Sequence, residues 1–367
     1  MNMTDMARKT LFAFLTLICA ITFFTGCSTS NPEEEVVVEP FLNYRYASAE
    51  EGRQILLSNT AYLNAHTQTD IEWKTRGKAK SIEEFTALYA SQIQDFTDEE
   101  KKALDAYISI DEARFNYLGI RLPTTGEVTF IKCTMEYEGN AGGFTLGNSI
   151  FLSSPILQIL VNQSHGKRTY SLVYEEFMQS LFTPCLIIHE LFHCISRNDA
   201  SFRQRLYSLI GFTVMDHEVE FGPTVRNRIY TNPDAERFDH WAEFTIGGEK
   251  RRCILVGVYE SSYAEFAATD PNASYLYHLE SALVPLDDPD TLIPIDQASD
   301  FYQVVGNDTD YLIAAEECMA DNFANLFSFG FNGYYNYVDD EIKFFPYPTP
   351  QLIQDIYKTM LEFYPRQ

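Results

Sequence analysis

The chain has 367 residues, 46% of them hydrophobic, and sets 52 Asp and Glu against 27 Lys and Arg for a formal charge of −25. That length can bury a large core, and no linker, repeat or low-complexity tract divides the chain after residue 45. So acidic a surface argues against nucleic acid as a partner and against docking on anionic lipid headgroups.

At the N-terminus, Arg8 and Lys9 precede LFAFLTLICAITFF, an apolar run shorter than a membrane span. It ends in FTGC, small residues before Cys27, and this resembles the lipobox of bacterial lipoproteins. The resemblance implies a lipoprotein signal peptide over 1–26 and acylation of Cys27. Multiple acyl chains anchor firmly, at roughly 0.8 kcal/mol per buried methylene. STSNPEEEVVVEP then reads as part of a flexible acidic tether, 27–45, holding a single domain, 46–367, off the membrane. The expected place is the bacterial cell envelope, extracytoplasmic and membrane-anchored. Cys133, Cys185, Cys194, Cys253 and Cys318 remain, an odd set without repeated spacing and no disulfide framework. Cys194 and Cys318 read as small buried hydrophobes.

Two capping boxes follow, Ser81 with Glu84 and Thr97 with Glu100. The second opens a helix that ends at Gly119. EVTFIKCTMEY and GGFTLGNSIFLSS read as two strands, joined through EGNA. The Gly142-Gly143 pair would let another backbone approach closely.

TPCLIIHELFHCISRND, residues 183–199, carries the chemistry. Thr183 and Pro184 read as N-cap and first position of a buried helix. His189 and His193 lie one turn apart on one face and can reach one ion, whereas Glu190 is rotated by about 100° and falls beside it. Two histidines in an apolar helix are usually structural. The complete HExxH string is far rarer, and its physical content is two ligands and one general base.

Zinc needs a third protein ligand and an open fourth position. The metzincin pattern would supply Asp199, but Ser196 stands where that pattern has a turning glycine. Asp199 also suits a cap on the helix SFRQRLYSLIGF, closed by Gly211. Within the chain that follows, HWAEFTIGGEKRRCILVGVYES reads as a β-hairpin turning at Gly247-Gly248.

The alternative third ligand lies in a helix over 314–327, with Ile313, Cys318, Phe323 and Leu326 on its apolar face. Glu317 and Asp321 share a face there; Glu316 has Ala320 at the corresponding place. With His189, Glu190 and His193, this Glu-x-x-x-Asp resembles the second signature of the gluzincins, the thermolysin-like zinc metallopeptidases. The resemblance implies that Glu317 binds Zn²⁺ and that Asp321 orients a ligand histidine through its free ring nitrogen. Gluzincins also stabilise the oxyanion with a histidine or tyrosine, for which His217, Tyr230, His240 and His278 are all available. Thr349-Pro350 opens a last helix.

Helices, then strands, then helices predict an α+β domain. The resemblance implies a zincin-like form of it, with a small sheet whose edge strand lies beside the HExxH helix and pairs with a substrate backbone. A mainly helical C-terminal lobe with an inserted β-hairpin would follow. The expected activity is zinc-dependent peptide-bond hydrolysis on a peptide or protein substrate, with Glu190 as general base. The rival is a non-catalytic surface lipoprotein, binding glycan or protein on the same scaffold.

Overall fold

The computed structural model describes residues 41–366 except 124, 166–173, 270–273, 339 and 340. The signal segment, Cys27 and most of the tether therefore lie outside the described residues. The end of the tether does not, because the folded unit begins at Phe41 and Tyr44–Tyr46 form strand β1. Aromatic residues make the difference: the Tyr44 and Tyr46 rings pack on Phe130, and both hydroxyls donate to Asp105.

Five helices cover the first part: α1 (Ala49–Ser58), α2 (Thr60–Ala65), α3 (Gln68–Thr75), α4 (Ile82–Ala90) and α5 (Asp98–Leu118). The Ser81 side chain accepts from the amide of Glu84. Thr97 and Glu100 form a reciprocal capping box, and Gly119 closes α5 at φ 70°.

The first sheet contains β1, β2 (Ile93–Gln94), β3 (Val128–Cys133), β4 (Gly143–Leu146) and β5 (Ser149–Ser153). β3 lies parallel to β1 and β5, β2 pairs antiparallel with β3, and β4 folds back along β5 as an edge strand. The segment from Gly142 to Ser154, expected as one strand, is thus a hairpin turning at Gly147, whose φ is 58°. Alternation sends successive residues into different cores. Phe130, Ile150 and Leu152 join the main core; Ile131, Cys133 and Phe151 pack with residues of the N-terminal helices.

Helices α6 (Ser154–Ser164), α7 (Tyr174–Asn198), α8 (Ala200–Leu209) and α9 (Pro223–Arg226) follow. Contrary to the capping argument, α7 does not start at Thr183-Pro184 but runs through it. The preceding YEEFMQSLF is rich in good helix formers, and continuity of the helix outweighs the one hydrogen bond that proline cannot donate.

The inserted hairpin also proves to be part of something larger. Strands β6 (Thr213–Val214), β7 (His240–Ile246), β8 (Glu249–Tyr259), β9 (Leu279–Pro285) and β10 (Ile293–Pro294) form an antiparallel sheet in the order β10-β9-β8-β7-β6. The turn at Gly247-Gly248 is as expected, with φ of 61° and 88°. A lone hairpin is marginal in water, and β8, buried from Cys253 to Tyr259, takes partners on both sides.

The chain closes with α10 (Tyr263–Thr269), α11 (Phe301–Val305), α12 (Ala315–Phe329), the hairpin β11 (Gly333–Val338) and β12 (Glu341–Pro346), and α13 (Pro350–Phe363). The molecule is therefore mixed α+β. Phe323 of α12 meets Phe192 of α7 with ring centroids 5.3 Å apart, and Phe327 stacks on Phe115 of α5 at 3.8 Å. These contacts lay α12 against α7.

Within α5, Asp111 is fully buried; Arg114 Nη1 donates to its Oδ1, while Oδ2 has no partner. Burial pushes its carboxyl up to about 7, against the pull of Arg114. A raised acid keeps its proton in the folded state, so stability is lost as pH climbs from the unfolded value of about 4 towards 7. Asp111→Asn removes that dependence. Urea melts at pH 5 and pH 8 should show the variant gaining on the wild type by roughly 2–3 kcal/mol between the two.

Candidate metal centre

The centre lies where α7 faces α12. His189 and His193, one turn apart, hold their ring centroids at 4.7 Å and their planes at 78°. Nε2 of His189 stands 3.1 Å from Oε2 of Glu317, and Nε2 of His193 stands 3.4 Å from the same oxygen. All three ligand atoms lie within 4.8 Å of one another, and all three residues are buried. Two donor atoms on one small tetrahedral cation, at roughly 2.0–2.1 Å each, would be about 3.3 Å apart. The spacing fits, and Nε2 of His193 is buried without a hydrogen-bond partner.

The opposite ring nitrogens are held from behind. Nδ1 of His189 is 2.9 Å from Oδ1 of Asp321, the residue expected there. Nδ1 of His193 is 3.0 Å from Oε1 of Glu316, which also accepts from Ser196 Oγ, while Tyr207 Oη donates to Oε2 of the same carboxylate. Glu316 hydrogen-bonds Nδ1 of His193 and so fixes that ring with Nε2 turned towards Glu317, whereas Nδ1 of His189 lies at ion-pair distance from Asp321 without a formed hydrogen bond. The spacing argument set Glu316 aside for lacking an i+4 partner. Its place one residue before Glu317, rotated by about 100° on the helix, is what lets it reach the other histidine.

Glu190 packs on the edge strand. A Cβ on Gly143 would lie 2.8 Å from Glu190 Oε1 and 3.0 Å from the carbonyl of Phe151, so only glycine leaves room for the carboxylate. Its Oε2 is buried and has no partner. Close by, Asp234 offers a carboxylate oxygen within 4.8 Å of ligand atoms of Glu190 and His193.

Five carboxylates, those of Glu190, Asp234, Glu316, Glu317 and Asp321, surround the two imidazoles. Burial opposes the charged His189 ring, but Asp321 and Glu317 outweigh it and hold its pKa well above the usual range. Burial is likewise overcome at His193, where Asp234 and Glu317 raise the pKa to about 10. Against its own burial, Glu317 is held well below the usual carboxylate range by His193 and His189. Glu190 is pushed up to about 8, by burial first and by the Asp234 charge second. The pocket demands positive charge, and buried His and Glu side chains that can hold a metal ion are in place to receive it.

Other expected residues lie elsewhere. Asp199 caps α8, accepting from the amide of Phe202 and the Tyr364 hydroxyl, and is not among the converging ligands. Cys194 and Cys318 are buried free thiols. His217 is exposed beside Asp216, and His278 sits between Trp73, Phe266 and Glu260. His240 lies behind Tyr207. Tyr230 directs its hydroxyl towards Glu138. A residue missed in the sequence is nearer: the Tyr311 ring centroid is 6.3 Å from that of His189. Enclosure, then the Glu317 charge, raises the Tyr311 phenol pKa well above its usual range. No sequence signal marks Tyr311, Asn232 or Asp234: the last two reach the centre from a loop remote from both motifs, and Tyr311, six residues before Glu317, precedes the helix and belongs to neither spacing.

No known protein family, curated protein or solved structure matches the chain.

Competition with a chromophoric chelator tests the ligand set. Glu317→Ala should lose most of the metal affinity. Asp321→Ala and Glu316→Ala should each lose roughly 10–100-fold, as changes behind a ligand do. Asp199→Ala should bind metal like the wild type.

Proposed function

We propose that the protein is a zinc-dependent peptidase of the gluzincin type, with a zincin-like fold, tethered outside a bacterial membrane through a lipid on Cys27. One observation carries the reading: two Nε2 atoms and one glutamate oxygen converge at metal-binding spacing beside a buried carboxylate with a free oxygen. Two neutral nitrogens and one carboxylate suit zinc among the divalent ions. Bound there, zinc would act as a Lewis acid, lowering a water's pKa to about 7 and polarising a carbonyl.

The chain's own residues do the rest. Oε2 of Glu190 takes the proton of the attacking water and returns it to the leaving amine. Asp321 and Glu316 keep the imidazoles turned inward. The Tyr311 phenol, on the His189 side, is the hydrogen-bond donor for the developing oxyanion. Gly143, without a side chain, lets the Glu190 carboxylate sit directly against edge strand β4. A purely structural metal site would have no use for the unpartnered, buried oxygen of Glu190; this favours the enzyme over a non-catalytic binding lipoprotein.

Zinc content and cleavage of a fluorogenic peptide library test the reading. Glu190→Gln should retain zinc and lose roughly 10²–10⁴-fold in kcat/KM. Tyr311→Phe should lose about 10²–10³-fold in kcat. Undiminished cleavage by Glu190→Gln would rule the mechanism out.

A further inference from the structure

The segment 230–236, YTNPDAE, crosses the front of the centre. Oδ1 of Asp234 accepts from both the amide and the hydroxyl of Thr145, at 2.7 and 2.6 Å. Thr145 belongs to edge strand β4. The carbonyl of Gly142 and the residue pair Phe144 with Phe151 face β5, so by alternation the N–H and C=O of Thr145 face outwards. Those are the groups an added strand would use. Both are occupied from within the chain: Asp234 takes the N–H, and Arg197 Nη2 donates to the C=O at 3.3 Å.

The same segment closes the metal side. Asn232 Nδ2 donates to Oε1 of Glu317 at 2.5 Å, and Asp234 comes within ligand range of Glu190 and His193. His189, Glu190 and Glu317 are left only 7%, 2% and 1% exposed. Two buried anchors hold the segment down. Arg197 donates to the carbonyls of Pro233 and Asp234. Lys74 donates to the carbonyl of Thr231 while paired at 2.8 Å with Glu138.

We propose that residues 231–236 form a self-inhibitory strap, in which the Asp234 carboxylate occupies the place of a substrate carbonyl on β4 beside Glu190. The inference rests on the peptidase reading and adds its regulation: the folded enzyme is latent, and substrate gains access when Asp234 leaves Thr145. A carboxylate imitates a peptide carbonyl here because it accepts the same edge N–H. It binds more strongly, being charged.

The test compares the full-length protein with Asp234→Ala and with Asp234→Asn, which keeps the shape and an acceptor for Thr145. Each is loaded with Co²⁺ and titrated with a dipeptide hydroxamate, read by the visible absorption of the metal. Hydrogen exchange of the Thr145 amide is followed in parallel on metal-free protein. Expected, with all three held at saturating cobalt, is hydroxamate binding at least about tenfold tighter in Asp234→Ala. Exchange at Thr145 should be faster in that variant, and Asp234→Asn should fall between in both readouts. Equal hydroxamate binding across cobalt-loaded forms would overturn the strap and leave the metal reading standing. If no form retained cobalt, the metal reading would fall, and the exchange measurement would decide the strap: unchanged exchange at Thr145 overturns it.

Discussion

One carboxylate oxygen governs the centre. Oε2 of Glu317 must meet imidazole nitrogens from two successive turns of α7, and it can do so only if α12 lies directly against that helix. The aromatic layer of Phe192, Phe202, Phe323 and Phe327 sets this distance. Protein interiors are packed too densely for such helices to slide without loss. The main core therefore does more than stabilise the fold. It places a ligand that neither helix could supply alone.

Charge then follows from packing. Bringing three acidic residues of α12 next to α7 buries carboxylates, which is unfavourable unless each finds a donor or a cation. Glu316 finds His193, Ser196 and Tyr207; Asp321 finds His189 and Thr309; Glu317 finds both histidines and Asn232. A second buried network obeys the same rule. Glu138 is paired with Lys74 and receives hydroxyls from Tyr62, Tyr89 and Tyr275. The 230–236 segment joins the two networks, since Lys74 grips Thr231 and Asn232 touches Glu317. A movement of this segment would disturb charge balance at both ends.

Strand β4 borders the centre. Its glycine gives Glu190 room, and its threonine carries the outward hydrogen-bonding groups. An exposed sheet edge is a pairing site for any extended chain. Here the edge beside Glu190 is covered by Asp234 and Arg197. The closure is polar and local, made of hydrogen bonds to side chains rather than a packed apolar lid.

Local signals carried much of this molecule. Four-residue spacing put His189 with His193 and Glu317 with Asp321. Caps at Ser81 and Thr97, the glycine turn at 247–248 and the α+β class were equally legible, because each depends on neighbours a few residues apart. Other features were not. The start of α7 escaped because a proline rule for helix ends gave way to the propensity of the preceding segment. The five-stranded sheet escaped because short strands such as Thr213–Val214 and Ile293–Pro294 are strands only by virtue of their partners. Glu316, Tyr311, Asn232 and Asp234 escaped because their roles depend on what faces them. Periodicity records which residues of one element share a face, and so the sequence by itself determined that His189 stands with His193 and Glu317 with Asp321. Which faces meet, and which loop lies across them, is settled by burial over the whole chain, and that only the tertiary structure decided.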